Sequence, residues 1–255
     1  MNIGFIGTGR IASSVIIGIC SSKIKYKKIF ISPRNQKIAL SLKKKFNKII
    51  ISKNNQEVIN NSDWVFLSIT PEIGRKIIKD LKFKKKQKVI SFISTITLSQ
   101  LKKMIKKKID IVRAIPLPPI SLKEGPVPIC PPNKKVKSFF DKLGSTVEIK
   151  NEKLSINFWS TSGMMASYYN MLDTMSVWLN KKGVKKLDAQ KYVTSLFLAL
   201  SKDAVINSNK DLKLLVKDSQ TPKGLNEQGL KEMIKKDVYK SVTNTLNSIY
   251  KRLDK

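Results

Sequence analysis

Residues 3–19 read IGFIGTGRIASSVIIGI. Ile3–Ile6 has the composition of a buried strand, and the apolar residues from Ile11 onward recur at helical spacing. Between strand and helix lie Gly7, Gly9 and Ala12, in the order G-x-G-x-x-A. Gly7 permits a tight turn, Gly9 lets backbone approach a pyrophosphate, and Ala12 allows the helix to pack closely on a sheet. Ile6 and Thr8 complete the loop. The first N–H groups of the helix, from Arg10 and Ile11, have no carbonyl one turn back and face any phosphate there. The pattern predicts a dinucleotide site. Its plain alternative is a turn that merely needs glycine.

Working outward, short β-rich runs alternate with helical patterns through the first half of the chain. Strands are expected at 3–6, 28–32, 48–52, 64–69, 89–93 and 111–114, with two more at 127–130 and 146–149. Strands spaced by helices predict a largely parallel, doubly wound α/β sheet of the Rossmann kind. Near residue 151 the character changes. From there on only helical patterns occur, at about 153–181, 188–207, 211–217 and 224–253. The expected organisation is a nucleotide-binding domain over 1–150 and an all-helical domain over 151–255.

The second strand selects the dinucleotide. In such folds an acid at its end grips the ribose 2′-hydroxyl of NAD, whereas an arginine accommodates the 2′-phosphate of NADP. Here Ser32, Arg34 and Asn35 occupy that corner, and no Asp or Glu precedes Glu57. Arginine is scarce: of 50 basic residues only Arg10, Arg34, Arg75, Arg113 and Arg252 are not lysine. An arginine at this corner therefore predicts NADP, against the plainer possibility of one more solvated cation.

Composition sets the outer limits. The chain has 255 residues, a formal net charge of +32 and 41% hydrophobic residues. That size suits one large domain or two modest ones with a substantial core. A strong positive charge suits nucleic acid or an anionic membrane, yet the lysines are spread over the whole length. No recognised nucleic-acid module or Arg–aromatic cluster is present. The charge reads as compositional bias, and no specific nucleic-acid partner is expected. Cys20 and Cys130 are far apart with no metal-like spacing, which fits a reducing cytoplasm and no metal site. No signal peptide is visible, and no run is apolar enough to span a bilayer. The chain has no histidine. Ser-His-Asp hydrolases, His-ligated metals and histidine acids are thereby excluded. The segment 154–179 carries one charge, Asp173, in a lysine-rich chain. That exclusion of charge predicts burial on more than one face.

Taken in order, these segments resemble the pyrroline-5-carboxylate reductase family. IGFIGTGRIASSVIIGI (3–19) is similar to the family's opening loop and helix, and ISPRN (31–35) to its NADP corner. DWVFLSITPE (63–72) is similar to its fourth strand and turn, and VISFISTITLSQL (89–101) to its fifth strand. IVRAIPLPPISLKEGPVPI (111–129) resembles the Arg-x-Met-Pro-Asn passage. TPKGLNEQGL (221–230) resembles the Ser-Pro-Gly-Gly-Thr-Thr loop before the last helix. The resemblance implies further cofactor contacts at Ser68, Ile69, Thr70, Pro71 and Ser94. It implies substrate contacts at Gly224, Leu225 and Asn226, with Asn226 at the place of the threonine that touches substrate. It implies a C-terminal helical dimerisation domain, hence a homodimer, and NADPH-dependent reduction of 1-pyrroline-5-carboxylate or a close cyclic imino acid. Departures fall on the substrate half: Leu117 stands for an asparagine, Thr70 for a lysine and Lys223 for the first glycine.

Hydride transfer to C=N asks little acid–base chemistry of a protein, because an imine nitrogen carries its proton in from water. A substrate carboxylate can rest on N–H groups of Gly224, Leu225 and Asn226. Asn226 also suits a helix N-cap. Two alternatives share these residues: a reductase of another small imine or carbonyl, and a non-catalytic NADP sensor. The absence of lysine from 154–179 argues against β-hydroxyacid dehydrogenases, which place a catalytic lysine on the inter-domain helix.

Overall fold

A computed structural model describes residues 1–253. Eight short strands form one sheet: β1 (Ile3–Ile6), β2 (Ile29–Ile31), β3 (Ile49–Ile51), β4 (Trp64–Leu67), β5 (Lys88–Ser91), β6 (Asp110–Ala114), β7 (Pro126–Cys130) and β8 (Ser145–Glu148). Their spatial order is β3-β2-β1-β4-β5-β6-β7-β8. Neighbours run parallel, except that β7 is antiparallel to β6 and pairs Ala114 with Ile129. The helices of this half are α1 (Arg10–Cys20), α2 (Gln36–Lys45), α3 (Asn55–Asn60), α4 (Pro71–Ile77), α5 (Leu98–Ile105) and α6 (Lys134–Phe140).

Successive strand residues point to opposite faces, so a strand buried on both faces is mostly apolar along its length. Ile3 and Phe5 of β1, Ile29 and Ile31 of β2, Phe66 of β4 and Ile90 of β5 enter one core with α1, α2 and α6. Ile6, Phe30, Val65, Leu67 and Val89 enter the other with α3 and α5. Phe5 and Phe66 stack at 4.6 Å across the β1–β4 pair. Burying each such side chain contributes about 1.5–3 kcal/mol, which is why these four-residue runs commit to strands despite their length.

The chain divides into two compact units, Met1–Ser155 and Ile156–Lys255. The division falls a few residues beyond the one expected from composition. The C-terminal helices are α7 (Ser155–Ser162), α8 (Met165–Lys181), α9 (Lys186–Ile206), α10 (Leu212–Asp218), α11 (Leu225–Lys235) and α12 (Val238–Leu253). Two expected helices are each interrupted. The run 153–181 breaks at Gly163 and Met164. There Ser160, Thr161 and Ser162 turn their hydroxyls back on the carbonyls of Ile156, Asn157 and Phe158. Such back-bonding weakens a helix end, and glycine is a poor helix former. The run 224–253 breaks at Lys236 and Asp237, where Asp237 adopts a left-handed φ of 55°. Aspartate tolerates that conformation better than most residues.

Packing within a single chain does not bury the near-uncharged segment on several faces: Tyr169 and Trp178 are 57% and 58% exposed there. Ala189 and Val193 of α9 are the buried hydrophobic side chains of the C-terminal unit among the described residues.

Candidate cofactor cleft and loop of α11

Strand order changes direction between β1 and β4: β2 follows on one side of β1 and β4 lies on the other. At such a switch point the loops leaving the carboxyl ends of the strands diverge and leave a crevice. A cleft of about 400 Å³ opens there, lined by Gly7, Thr8 and Gly9 after β1, Arg34, Asn35 and Gln36 after β2, and Ser68, Ile69, Thr70 and Ile73 after β4.

Gly7 has φ 97°, and a Cβ built on it lies 2.1 Å from the Ser68 carbonyl oxygen. Only glycine lets the chain turn there while β1 and β4 stay paired. A Cβ on Gly9 meets nothing within 4 Å and so points into open space. Gly9 is the N-cap of α1, no side chain caps it, and the first turn holds no acid. The N–H groups and positive end of α1 are left for an anion. Thr8 is 2% exposed and its hydroxyl has no hydrogen-bond partner, which is costly for a buried polar atom. An open cradle, an uncompensated helix end and an orphaned hydroxyl fit the pyrophosphate of a dinucleotide. Arg34 and Gln36 stand exposed at the β2 corner, where a 2′-phosphate would lie.

Several expected contact residues act from behind the cleft. Ile6 and Ala12 are buried in the two cores. Ser32 is buried, and its hydroxyl accepts the Gly7 N–H at 2.8 Å, so it holds the glycine loop in place. Asn35 lines the cleft while its Oδ1 accepts the Ile38 N–H at 3.3 Å, capping α2. Arg10, Ile11 and Pro71 begin α1 and α4 and do not line the cleft. Ser94 is set apart from it as well. Its carbonyl accepts the guanidinium of buried Arg113, which also pairs with Glu152. Glu152 in turn accepts the Leu98 N–H at 2.9 Å, tying the start of α5 to the same network. Sequence reading missed Gln36, Ile73 and the Arg113–Glu152 pair. The rarity of arginine among the lysines was a usable signal for Arg113. Ile73 carried none, because a single isoleucine on a helix reads as core.

In the C-terminal unit, the loop expected to hold substrate opens α11. Gly224 is the N-cap, so Asn226 lies inside the first turn and is not the cap. Its Nδ2 donates to the Ser219 carbonyl at 2.8 Å, tying α11 to the end of α10. The Gly224 N–H is likewise taken, by the Thr221 carbonyl at 2.8 Å. Leu225 is 86% exposed. Glu227, which was not singled out, reaches back to accept the Lys223 N–H at 2.6 Å and pairs with Lys231 at 2.6 Å. Those two hydrogen bonds hold its carboxyl below the usual range. This is not a capping box, because the cap is Gly224 and Glu227 bonds the N–H of the residue before it; an acid in the first turn does suit the positive end of α11.

No described helix is long and apolar enough to cross a membrane, and no described His, Cys, Asp and Glu residues cluster to hold a metal.

Comparison with known proteins gives a consistent picture along the chain. Residues 2–95 match the family "NADP oxidoreductase coenzyme F420-dependent". Residues 153–255 match the family "Pyrroline-5-carboxylate reductase dimerisation". Pyrroline-5-carboxylate reductase 2 of Bacillus subtilis is 22% identical over 240 residues, covering 91% of this chain and 86% of its own. The structure of 1-pyrroline-5-carboxylate reductase from Streptococcus pyogenes superposes with a TM-score of 0.83 at 23% identity, covering 99% and 98% of the two chains. That of Plasmodium falciparum pyrroline carboxylate reductase with NADP bound does so with a TM-score of 0.83 at 21% identity, covering 99% and 97%. An NADP-type match over residues 2–95, a pyrroline-5-carboxylate reductase dimerisation match over residues 153–255 and relatives aligned nearly end to end agree: along almost its whole length the chain is similar to pyrroline-5-carboxylate reductases.

Proposed function

We propose that this protein reduces the C=N bond of 1-pyrroline-5-carboxylate, or of a close cyclic imino acid, with NADPH. The observation that carries the proposal is the cleft at the β1–β4 switch point, with a glycine cradle, an orphaned Thr8 hydroxyl and Arg34 at the β2 corner. When bound, NADPH supplies a hydride to the imine carbon, and the protonated nitrogen takes the C=N electron pair to give an amine and oxidised cofactor.

The chain's own residues bind and orient. Gly7–Gly9 and the start of α1 hold the pyrophosphate, Arg34 the 2′-phosphate, and Ile69 and Ile73 supply apolar wall. Ser32 fixes the loop from behind through the Gly7 N–H. The iminium proton comes from water, so a chain without histidine can perform this reaction. Catalysis then rests on position more than on acid–base groups. The loop of α11 is the proposed substrate contact, through Leu225, Asn226 and their neighbours.

The proposed assembly is a homodimer through the C-terminal unit, as in the family whose dimerisation region it matches. The test of function is loss of NADPH absorbance with a panel of cyclic imines, with and without carboxylates. Turnover is expected. Tight NADPH binding with no turnover of any imine would favour an NADP sensor instead.

A further inference from the structure

We propose that the end of the sheet opposite the cofactor cleft holds a second anion site, which takes a chain of two or three phosphates. The site lies wholly within the N-terminal unit and is independent of the reductase reading.

The parallel strands β4, β5 and β6 begin at this end, and β7, antiparallel to β6, finishes there. A cleft of about 480 Å³ opens among Trp64 at the start of β4, Lys86 and Lys88 at the start of β5, Asp110 at the start of β6, and Lys134 and Lys135 at the start of α6. Lysines that look evenly spread along the chain are gathered here by the way the strands lie.

The floor of this cleft is fixed. Gln87 is buried, and its Nε2 donates to the carbonyls of Ile59 and Ser62 at 2.6 and 2.7 Å. Lys88 is buried beside it, pairs with Asp110 and lies over the Trp64 ring at 5.8 Å. Asp110 also accepts the Asn133 Nδ2 at 3.2 Å. The acid of the cleft is therefore spent on Lys88 and Asn133. Lys86, Lys134 and Lys135 are exposed, and none of them pairs with an acid among the described residues. Their like charges crowd the cleft: burial, and then the charge of Lys135, lower the proton affinity of the Lys88 amine. An anion between them would relieve that repulsion.

The cations are all lysine. Lysine binds phosphate as a point charge and lacks the planar fork by which arginine grips a carboxylate. A single phosphate monoester carries about 1.5–2 negative charges near neutral pH and leaves part of the charge of Lys86, Lys134 and Lys135 unmet. A diphosphate or triphosphate matches it. The cationic surface continues into a neighbouring cleft of about 280 Å³ that shares Trp64 and Lys135 and adds Lys23, Lys25 and Lys142. A ligand longer than its phosphates has room to follow it. Both a nucleoside triphosphate and a free polyphosphate carry such a chain.

The test is titration calorimetry with tripolyphosphate and with ATP in about 0.15 M salt, where attraction to distant surface charges is largely screened. Wild type is expected to bind both. The double variant Lys86→Gln, Lys135→Gln changes exposed side chains, so its melting temperature should hold, and it should bind tripolyphosphate about tenfold or more weakly. Lys44→Gln with Lys79→Gln, exposed positions outside the cleft, removes the same charge and should change affinity by less than about twofold. Arg34→Glu, in the cofactor cleft, should leave this binding in place. Tighter binding of ATP than of tripolyphosphate upholds the site and assigns its chain to a nucleotide; equal binding upholds it and assigns a free polyphosphate. Failure of wild type to bind either anion overturns the proposal, as does an equal loss in the Lys44, Lys79 pair. Loss confined to Arg34→Glu overturns it too, by placing the anion in the cofactor cleft. A single-stranded oligonucleotide that binds more tightly than both anions, and is weakened by the Lys86, Lys135 pair, would make the partner a nucleic acid and overturn the small-anion assignment.

Discussion

Gly7 and Gly9, two residues apart, answer to different constraints. At Gly7 the constraint is internal: a positive φ and a Cβ that would lie 2.1 Å from the Ser68 carbonyl oxygen. Gly7→Ala is expected to cost about 2–4 kcal/mol and to lower the melting temperature. At Gly9 nothing in the protein stands within 4 Å. Gly9→Ala should therefore melt within about 0.5 kcal/mol of wild type yet bind NADPH at least tenfold more weakly. Retained affinity in that variant would show that the loop is only a turn. Arg34 is exposed at the edge of the same cleft and bonds nothing that holds the fold together. Arg34→Glu should weaken NADPH by about ten- to a hundredfold, as expected for a hydrogen bond between charged groups, with NADH affected less. Fluorescence titration of both cofactors decides it. Equal losses would take the 2′-phosphate away from Arg34.

Among elements, α10 and α11 form a corner held by side chains instead of core. Neither helix has a buried residue in the isolated chain. Asn226→Ala removes the bond to the Ser219 carbonyl, which is solvent-exposed, so a loss of about 0.5–1.5 kcal/mol is expected. Fragment-level hydrogen exchange should show faster opening over 219–227 with the sheet unchanged. The contact between Glu227 and Lys223 is also pH-dependent. The folded pKa of Glu227 is depressed, so its contribution is present above the unfolded carboxylate value and is lost as pH falls through the lower folded value. Acid titration should release the Lys223 amide, seen as an upfield NMR shift, only below the ordinary glutamate range. Release at or above that range would mean the contact is not formed in solution.

Over the whole molecule the two units differ in how they are held. The N-terminal unit owns two continuous cores on either side of its sheet. The C-terminal unit buries little apolar surface of its own, and Tyr169, Trp178 and Tyr192 stand more than half exposed in the isolated chain. A helical unit of about 100 residues normally needs far more buried apolar surface than this to be stable. The proposed self-association through these faces would supply it, in line with the match of residues 153–255 to a dimerisation family. Light scattering at low micromolar concentration should report a dimer or larger assembly, and Trp178→Glu should shift it towards monomer. A stable wild-type monomer would remove the proposed interface.

How much of this was legible beforehand follows from the range of the interactions involved. Four-residue apolar runs such as Ile3–Ile6 and Trp64–Leu67 are self-announcing, because a strand buried on both faces strongly favours apolar residues. The glycine spacing at 7–9 and the arginine at 34 carry their meaning locally too. Sequence by itself therefore determined the doubly wound sheet and placed the glycine loop and Arg34 at the ends of its first two strands. Tertiary structure alone decided which neighbours face the cleft and which stand behind it. Ser32 and Arg34 are two residues apart, yet one holds the Gly7 N–H in the interior and the other lies open on the rim. Likewise Asn226 reads from sequence as a substrate contact or a cap, whereas in the fold its amide donates to the carbonyl of Ser219, seven residues back. Hydrogen bonds of that kind depend on where two loops come to lie, and periodicity along a chain holds no record of them.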